Sequence, residues 1–260
     1  MADGSPPPIT HPQGKDRPWQ RWSALKSERA SWDPHAKELS VNILPRNSRF
    51  FVEDRNRGGN RYNQIYDNTG TLSLRVLAAG MMAGMTSPAR PWFRLKTADD
   101  LMRHDSVKVW LAEGQSLMLS IFAQSNTYRA LHSAYEELGC FGTHVTLVMP
   151  DFDNVIHLVP LTWGEYCIAT NWKGEVDTVY REFQKTVSSL VDEFGWDNVS
   201  DTVKNLYRQN QLDSWITVVH AIEPRRDRDS SKLDTRNMPW KSVYFELEGR
   251  KDKYLRESGF

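Results

Sequence analysis

The sequence predicts an α+β protein in which N-terminal helices and a buried central helix pack with an antiparallel β-sheet. Apolar side chains recur every three or four positions over residues 17–44 and 105–138, which is the spacing of amphipathic helices. Residues 143–179 are instead rich in β-branched and aromatic side chains separated by turn-forming residues, a pattern typical of strands. Hydrophobic residues make up 39% and charged residues 25% of the 260 positions, as in proteins with a real core.

The central helix is predicted to run from about residue 67 to residue 86. Side-chain oxygens at positions 67–69 can accept hydrogen bonds from the free amides of a first turn. Ser87-Pro88 then ends the helix, because proline excludes helical geometry at the residue before it.

The same helix carries ten successive residues without a polar side chain, from Val76 to Met85. This run is too short to cross a bilayer, so we predict a helix buried in the protein core. Gly80 and Gly84 should let neighbouring elements approach its backbone closely, which would offset their poor helix propensity. On this interpretation, Gly80→Leu should abolish soluble expression or cooperative melting.

The remaining elements follow from periodicity, caps and breakers. Further helices are predicted over residues 17–32, 33–44, 105–124, 127–139, 183–194 and 199–208. An antiparallel meander of about four strands is predicted over residues 143–149, 154–161, 166–170 and up to 179, with later strands over 215–222, 242–247 and near residue 260. Residues 1–16, rich in proline and polar residues, are predicted to form a disordered arm.

The totals narrow the class of protein. Lysine plus arginine and aspartate plus glutamate both number 33, which argues against a protein that binds nucleic acid over its whole surface. Two cysteines without a CxxC motif favour a reducing compartment, and neither a signal peptide nor a membrane-spanning segment is visible. Ten tryptophans favour large packing surfaces, inside the fold or between subunits.

Two short clusters could carry chemistry, and each has a simpler interpretation. Asp151 and Asp153, beside Asn154, lack the further acidic ligands at set spacing that a calcium loop needs, so a turn between strands is favoured. Cys140 and His144 are close in sequence, but no nucleophile signature surrounds them, and a buried inert cysteine is favoured.

The histidines offer a third possibility. His144, His157 and His220 lie on predicted strands and could meet across a sheet, but no pair has the ligand spacing of a zinc motif. A phosphate-binding Gly-x-x-x-x-Gly-Lys loop is also absent from the sequence. We therefore assign no catalytic, cofactor-binding or metal-binding residue, and we expect no cofactor.

Several separate stretches together resemble one family. They are Leu77-Ala78-Ala79-Gly80-Met81, Pro91-Trp92-Phe93-Arg94-Leu95, Ser125-Asn126, Phe141-Gly142-Thr143, Val176-Asp177-Thr178-Val179-Tyr180-Arg181 and His220-Ala221-Ile222-Glu223-Pro224-Arg225. In this order, from about residue 19 to the end, the sequence resembles the bacteriophage head-to-tail connecting (portal) proteins of short-tailed phages.

The resemblance implies a structural virion protein and not an enzyme. It implies a homo-oligomeric ring, dodecameric in the virion, at one capsid vertex, assembled in the host cytoplasm without a membrane. Double-stranded DNA would be packaged and ejected through its channel, with terminase, tail or adaptor, capsid and scaffold proteins as partners. Because family members are longer, residues 17–260 are expected to be the wing-like, N-terminal part of a portal protein, without the stem, clip and crown. No residue is assigned as a DNA contact.

Two arginine-rich loops are also relevant to this interpretation. Residues 46–61 contain five arginines, and a solvated loop is favoured over contact with DNA or another viral protein. Residues 225–237 alternate in charge, and a solvated loop is favoured over ion pairs between subunits. Two alternative functions stay open: a metal-dependent phage nucleic-acid enzyme built on Asp151, Asp153 and the strand histidines, and a capsid interaction module that forms no ring.

Overall fold

The computed structural model describes residues 17–45, 67–225, 228–229, 231–232, 234–249 and 253–260. The predicted arm at residues 1–16 and the arginine-rich loop at 46–61 lie outside the described residues. The chain divides into two compact units. Met1–Ser31 and Cys167–Phe260 form one, called here the sheet unit, and Trp32–Tyr166 form the other, called the helical unit.

The chain contains both helices and antiparallel strands, which confirms the α+β class. The helices are α1 (Arg17–Arg29), α2 (Asp33–Asn42), α3 (Thr69–Met85), α4 (Asp105–Gln124), α5 (Thr127–Phe141), α6 (Val187–Phe194) and α7 (Asp201–Arg208). The strands are β1 (Val145–Asp151), β2 (Val155–Leu161), β3 (Tyr166–Thr170), β4 (Val176–Thr186), β5 (Trp215–Pro224), β6 (Trp240–Glu246) and β7 (Arg256–Gly259). Short 3-10 helices span Leu101–Arg103 and Trp163–Glu165.

The sheet unit is built on five strands in the order β3-β4-β5-β6-β7. Strand residues alternate between the two faces, and both faces are covered. Val219 and Ala221 of β5 share a buried cluster with the tryptophans and leucine of α1. Val218 belongs instead to a cluster built from α6 and α7. The sheet therefore lies between α1 on one face and α6 with α7 on the other.

Helix α1 is fixed to the sheet by aromatic contacts. The rings of Trp19 and Phe245 have centroids 4.3 Å apart, and Trp22 stacks on Tyr180 at 6.3 Å. The Trp19 indole Nε1 also donates a hydrogen bond of 3.0 Å to the Glu246 carbonyl oxygen. The spacing of the two tryptophans, three residues apart, places both on one face of the helix.

The helical unit is organised around α5. Gly139 of α5 faces α3, where a Cβ on this glycine would lie 2.7 Å from Leu74 Cδ1 and 3.0 Å from Leu77 Cδ2. The hairpin of β1 and β2 is joined to the start of α5 through Asn126. The Asn126 side-chain Nδ2 donates a hydrogen bond to the Leu158 carbonyl oxygen at 2.7 Å, and Asn126 Oδ1 accepts one from the Leu158 backbone amide at 2.8 Å.

The predicted burial of the central helix is wrong in this structure. Only Leu74 and Ala78 of α3 are buried, and Val76 is 72% exposed. A Cβ added at Gly80 or Gly84 would meet no described atom within 4 Å. The cause is that α3 packs against one main partner, α5, and one stripe of a helix is enough for that contact.

Several predicted boundaries also change. Helix α5 runs past Gly139 and ends at Phe141, and the following Gly142, with a φ of +73°, has the left-handed geometry of a glycine cap. Phe183, predicted to begin a helix, lies in β4, and α6 begins only at Val187. The predicted four-stranded meander is two separate pieces, since β1 and β2 form their own sheet while β3 and β4 belong to the five-stranded one.

Candidate assembly surfaces

The turn between β1 and β2 is held by its own side chains. Asp151 Oδ1 accepts a hydrogen bond from the Asp153 amide at 3.1 Å, and Asp151 Oδ2 accepts one from Asn154 Nδ2 at 3.2 Å. These bonds hold the pKa of Asp151 below its ordinary value. The prediction of a turn at this position is confirmed, and its carboxylate oxygens are used within the turn.

The tip of this hairpin exposes two apolar side chains. Phe152 is fully exposed, and Val155 is more than half exposed. Val155 also has a φ of +69°, where a β-branched residue is rarely found. Such a conformation costs on the order of 1–3 kcal/mol and persists only where the surroundings impose it. The tip is therefore a strained turn that holds an aromatic ring in solvent.

Val155→Gly should stabilise the chain, because glycine adopts positive φ without strain and the lost side chain is largely in solvent. The expected gain is about 1 kcal/mol after the entropic cost of the new glycine. The measurement is urea unfolding followed by tryptophan fluorescence. Val148→Gly is the matched control, since Val148 is equally exposed on β1. A glycine at position 148 should destabilise the strand. If both substitutions lowered the free energy of unfolding, the proposed backbone strain at Val155 would be contradicted.

Helix α3 presents an apolar outer face. Leu72 and Val76, one turn apart, are exposed, and Leu77 beside them is about half exposed. Residues 68–98 contain four basic residues and no acidic one. Arg90 places its guanidinium at the carboxyl end of α3, where Nη2 donates to the Ala83 carbonyl oxygen at 3.2 Å. This face is therefore apolar with a positive surrounding.

Helix α4 departs furthest from its predicted role. Its apolar stripe is typical of a core helix, yet none of residues 105–124, all of which the structure describes, is buried. Trp110 is 71% and Leu117 is 63% exposed. Phe122 packs on two aromatic rings, with its ring centroid 6.0 Å from those of Trp92 and Phe93. Large apolar surface of this kind marks contact with other molecules.

The remaining sequence candidates lie apart from one another. Cys140 is a free, buried thiol, as predicted, and burial raises its pKa to about 12. His144 Nε2 forms a hydrogen bond of 2.7 Å with Thr146 Oγ1. His157 is exposed on β2, whereas His220 lies on β5 in the sheet unit. Across the described ranges, no three His, Cys, Asp or Glu side chains are grouped to hold a metal ion.

His220 is held in one tautomer. Arg181 Nε donates to its Nδ1 at 3.2 Å, so Nε2 carries the proton and bonds Ser242 Oγ at 2.9 Å. Its ring stacks on Tyr244 with centroids 3.9 Å apart. Burial, with the positive charges of Arg181 and Arg256, lowers the pKa of His220 to about 3. This histidine therefore stays neutral as part of the sheet core.

The second charged loop is only partly solvated. Arg228 and Asp229 are exposed, as predicted, but the Arg225 side chain is 7% exposed and pairs with Glu257 at 3.1 Å. For Arg225 the prediction of a solvated residue is wrong, because its neighbour on β7 is distant in sequence. A small cleft of about 50 Å³ lies at the start of α7, where Glu246 Oε1 accepts a hydrogen bond from the Ser200 amide at 2.9 Å.

Glu137 is a buried carboxyl group that the sequence periodicity did not single out. It lies on the inner face of α5 and is 4% exposed, and its Oε2 finds no hydrogen-bond partner among the described residues. Burial, reinforced by the carboxylates of Glu165 and Glu136, raises the pKa of Glu137 to about 7. Its position at i−3 from Cys140 on one helical face was the available signal in the sequence.

One protein family matches this chain over most of its length. The family described as bacteriophage head to tail connecting protein matches residues 16–260. The chain therefore belongs to the bacteriophage head-to-tail connecting proteins, and the resemblance seen in its sequence is confirmed. Within the ranges that the structure describes, no helix is both long and apolar enough to span a bilayer.

Two particular relatives carry portal names. The chain is 61% identical over 241 residues to the probable portal protein of Bordetella phage BPP-1, an alignment that covers 92% of this chain and 43% of the relative. It is 46% identical over 247 residues to the portal protein of Salmonella phage epsilon15, covering 95% of this chain and 44% of the relative. The chain thus spans less than half the length of these curated relatives.

Proposed function

We propose that this chain acts as part of a phage portal protein, a structural subunit at the junction of head and tail. The observation that carries the proposal is the 61% identity to a probable portal protein over 92% of the chain. The open apolar faces of α3 and α4 support it, because they suit a subunit that is covered by assembly. The alternative of a metal-dependent nucleic-acid enzyme is not favoured.

The proposed assembly is a ring of twelve copies at one capsid vertex. DNA passes through its channel during packaging and ejection, terminase docks during packaging, and the tail or adaptor docks afterwards. Capsid and scaffold proteins assemble around it in the host cytoplasm. Residues 17–260 form the wing-like part of the subunit. The function is mechanical, and the balanced charge of 33 basic and 33 acidic residues suits a protein past which DNA slides without tight binding.

The roles of the polar groups agree with this proposal. Asp151 closes a turn, Cys140 is a buried thiol, and His220 is fixed between Arg181 and Ser242. These three groups are thus engaged within the fold. No step of bond breaking is part of the proposed function.

A chimeric portal tests the function directly. This chain replaces the matching portion of the Bordetella phage portal, and particles are assembled with that phage's other proteins. We expect rings of about twelve subunits by light scattering and heads filled with DNA by electron microscopy. A chimera that folds cooperatively but stays monomeric, or yields only empty heads, would overturn the proposal. The Gly139→Leu chimera serves as the control that fails to fold.

A further inference from the structure

We propose that the β1–β2 hairpin tip of one subunit docks on the outer face of α3 of a neighbouring copy. The inference rests on the proposed function, since it names a contact surface within the proposed ring. It commits to a second copy of this chain as the occupant of the α3 face. The argument depends on the shape of the tip, the chemistry of the helix face and the charge of each.

The tip has the form of a rigid knob. Phe152 is fully exposed, yet the turn that carries it is fixed by hydrogen bonds from Asp153 and Asn154 to Asp151. Val155, beside it, holds a positive φ that a β-branched residue rarely adopts. A turn that is already fixed in the free subunit loses little backbone freedom when its aromatic side chain is buried in a partner. Aromatic anchors of this kind are enriched at interface centres.

The α3 face has the matching chemistry. Leu72 and Val76 offer adjacent apolar side chains, and Arg75 lies next to them on the exposed helix. Beyond them, Gly80 leaves open space, since an added Cβ would meet no described atom within 4 Å. The face can therefore receive a ring on its apolar side chains while a guanidinium meets negative charge at the rim.

The charges of the two surfaces are complementary. Residues 145–161, which form the hairpin, contain two aspartates and neither lysine nor arginine. Residues 68–98 contain four basic residues and no acidic one. Opposite potentials favour encounter and orient the partners. Two hairpin tips facing each other would instead bring four carboxylates together, which disfavours a symmetric tip-to-tip contact.

The same logic favours a ring. The knob and its receiving face are different surfaces of one chain, and both are exposed in it. A contact between unlike surfaces leaves one open surface at each end of the growing assembly, and a chain of such contacts closes into a ring when the rotation permits. The exposed Trp110 and Leu117 of α4 supply further apolar area, since stable interfaces bury roughly 800 Å² per partner.

Photo-crosslinking tests the contact in the chimeric ring described above. The photoreactive p-benzoylphenylalanine replaces Phe152, and the crosslinked peptides are identified after trypsin digestion. We expect crosslinks to the peptides covering residues 62–75 and 76–94, which carry Leu72 and Val76. Mixing isotopically light and heavy subunits shows that the link joins two chains. The same probe at Trp172, an equally open aromatic on the β3–β4 turn, should give no link to α3.

A charge exchange supplies the second readout. Asp153→Lys and Arg75→Glu should each weaken ring assembly about tenfold in the concentration required, and the double variant should restore it to within about threefold. Rings that form while the crosslinks map away from α3, or lie within single chains, would overturn the inference and leave the portal function intact. Failure of the unmodified chimera to form any ring would overturn both. Normal ring assembly by both single variants would also overturn the proposed contact.

Discussion

Gly139→Leu should disrupt the helical unit, whereas Gly80→Leu should leave its melting almost unchanged. A Cβ at Gly139 would lie 2.7 Å from Leu74 Cδ1 and 3.0 Å from Leu77 Cδ2, so a leucine there must force α3 and α5 apart. Overpacking of this kind costs about 3 kcal/mol. A Cβ at Gly80 meets no described atom within 4 Å, and leucine gains up to about 1 kcal/mol of helix propensity over glycine.

The two variants are measured by thermal unfolding under identical conditions. Helix α3 and helix α5 each gain one leucine in this pair, so differences in composition cancel. Loss of cooperative melting in Gly80→Leu, with Gly139→Leu near the parent, would show that the outer face of α3 is covered within this chain. That outcome would also remove the open face on which the proposed subunit contact depends.

Glu137→Gln should stabilise the helical unit at pH 8 and have little effect at pH 4. Burial raises the pKa of Glu137 to about 7 from an ordinary value of 4.5. Folding thus favours the protonated form of Glu137. The contribution of this group to the free energy of unfolding is fully present below pH 4.5 and is lost as the pH rises to about 7. The difference between these two pKa values, about 2.5, corresponds to a loss of at most about 3 kcal/mol in the free energy of unfolding. A glutamine cannot ionise, so the Glu137→Gln protein does not undergo this loss.

The measurement is the free energy of urea unfolding of both proteins between pH 4 and pH 8. The difference between them isolates Glu137, because the titration of His220 is common to both. His220 acts with the opposite sign, since its lowered pKa makes stability fall as the pH drops from 6.5 towards 3. Glu113→Gln, on the exposed face of α4, is the control. A difference that stays constant with pH would contradict the raised pKa of Glu137.

Local signals predicted the helices and turns well where the stabilising hydrogen bonds join residues that are close in sequence. The start of α3 follows from Asp67, whose Oδ1 accepts the Thr69 amide at 3.1 Å. The β1–β2 turn follows from Asp151 and Asn154 in the same way. Helix ends, caps and turns depend on hydrogen bonds between residues a few positions apart, and a single sequence displays those residues together.

Burial could not be predicted from the same signals. The apolar run of α3 and the stripe of α4 indicate which residues can be covered, but only the tertiary arrangement decides which are. Gly139 was predicted to end a helix. In the structure it leaves room for the side chain of Leu74, which lies more than sixty positions earlier in the sequence. Phe183 fitted a helical spacing, yet β4 continues through it because its backbone pairs with Val218 of β5. Long-range pairing of this kind overrides local preference.

The interleaved course of the chain has a consequence for its synthesis on the ribosome. Trp19 and the Glu246 carbonyl that it contacts are 227 residues apart, with the whole helical unit between them. At roughly 5–20 residues per second, translation leaves the apolar stripe of α1 without its sheet for on the order of ten to forty seconds. The helical unit can fold during that interval. Helix α1 is thus among the last of the described helices to be placed, although it is synthesised before the others.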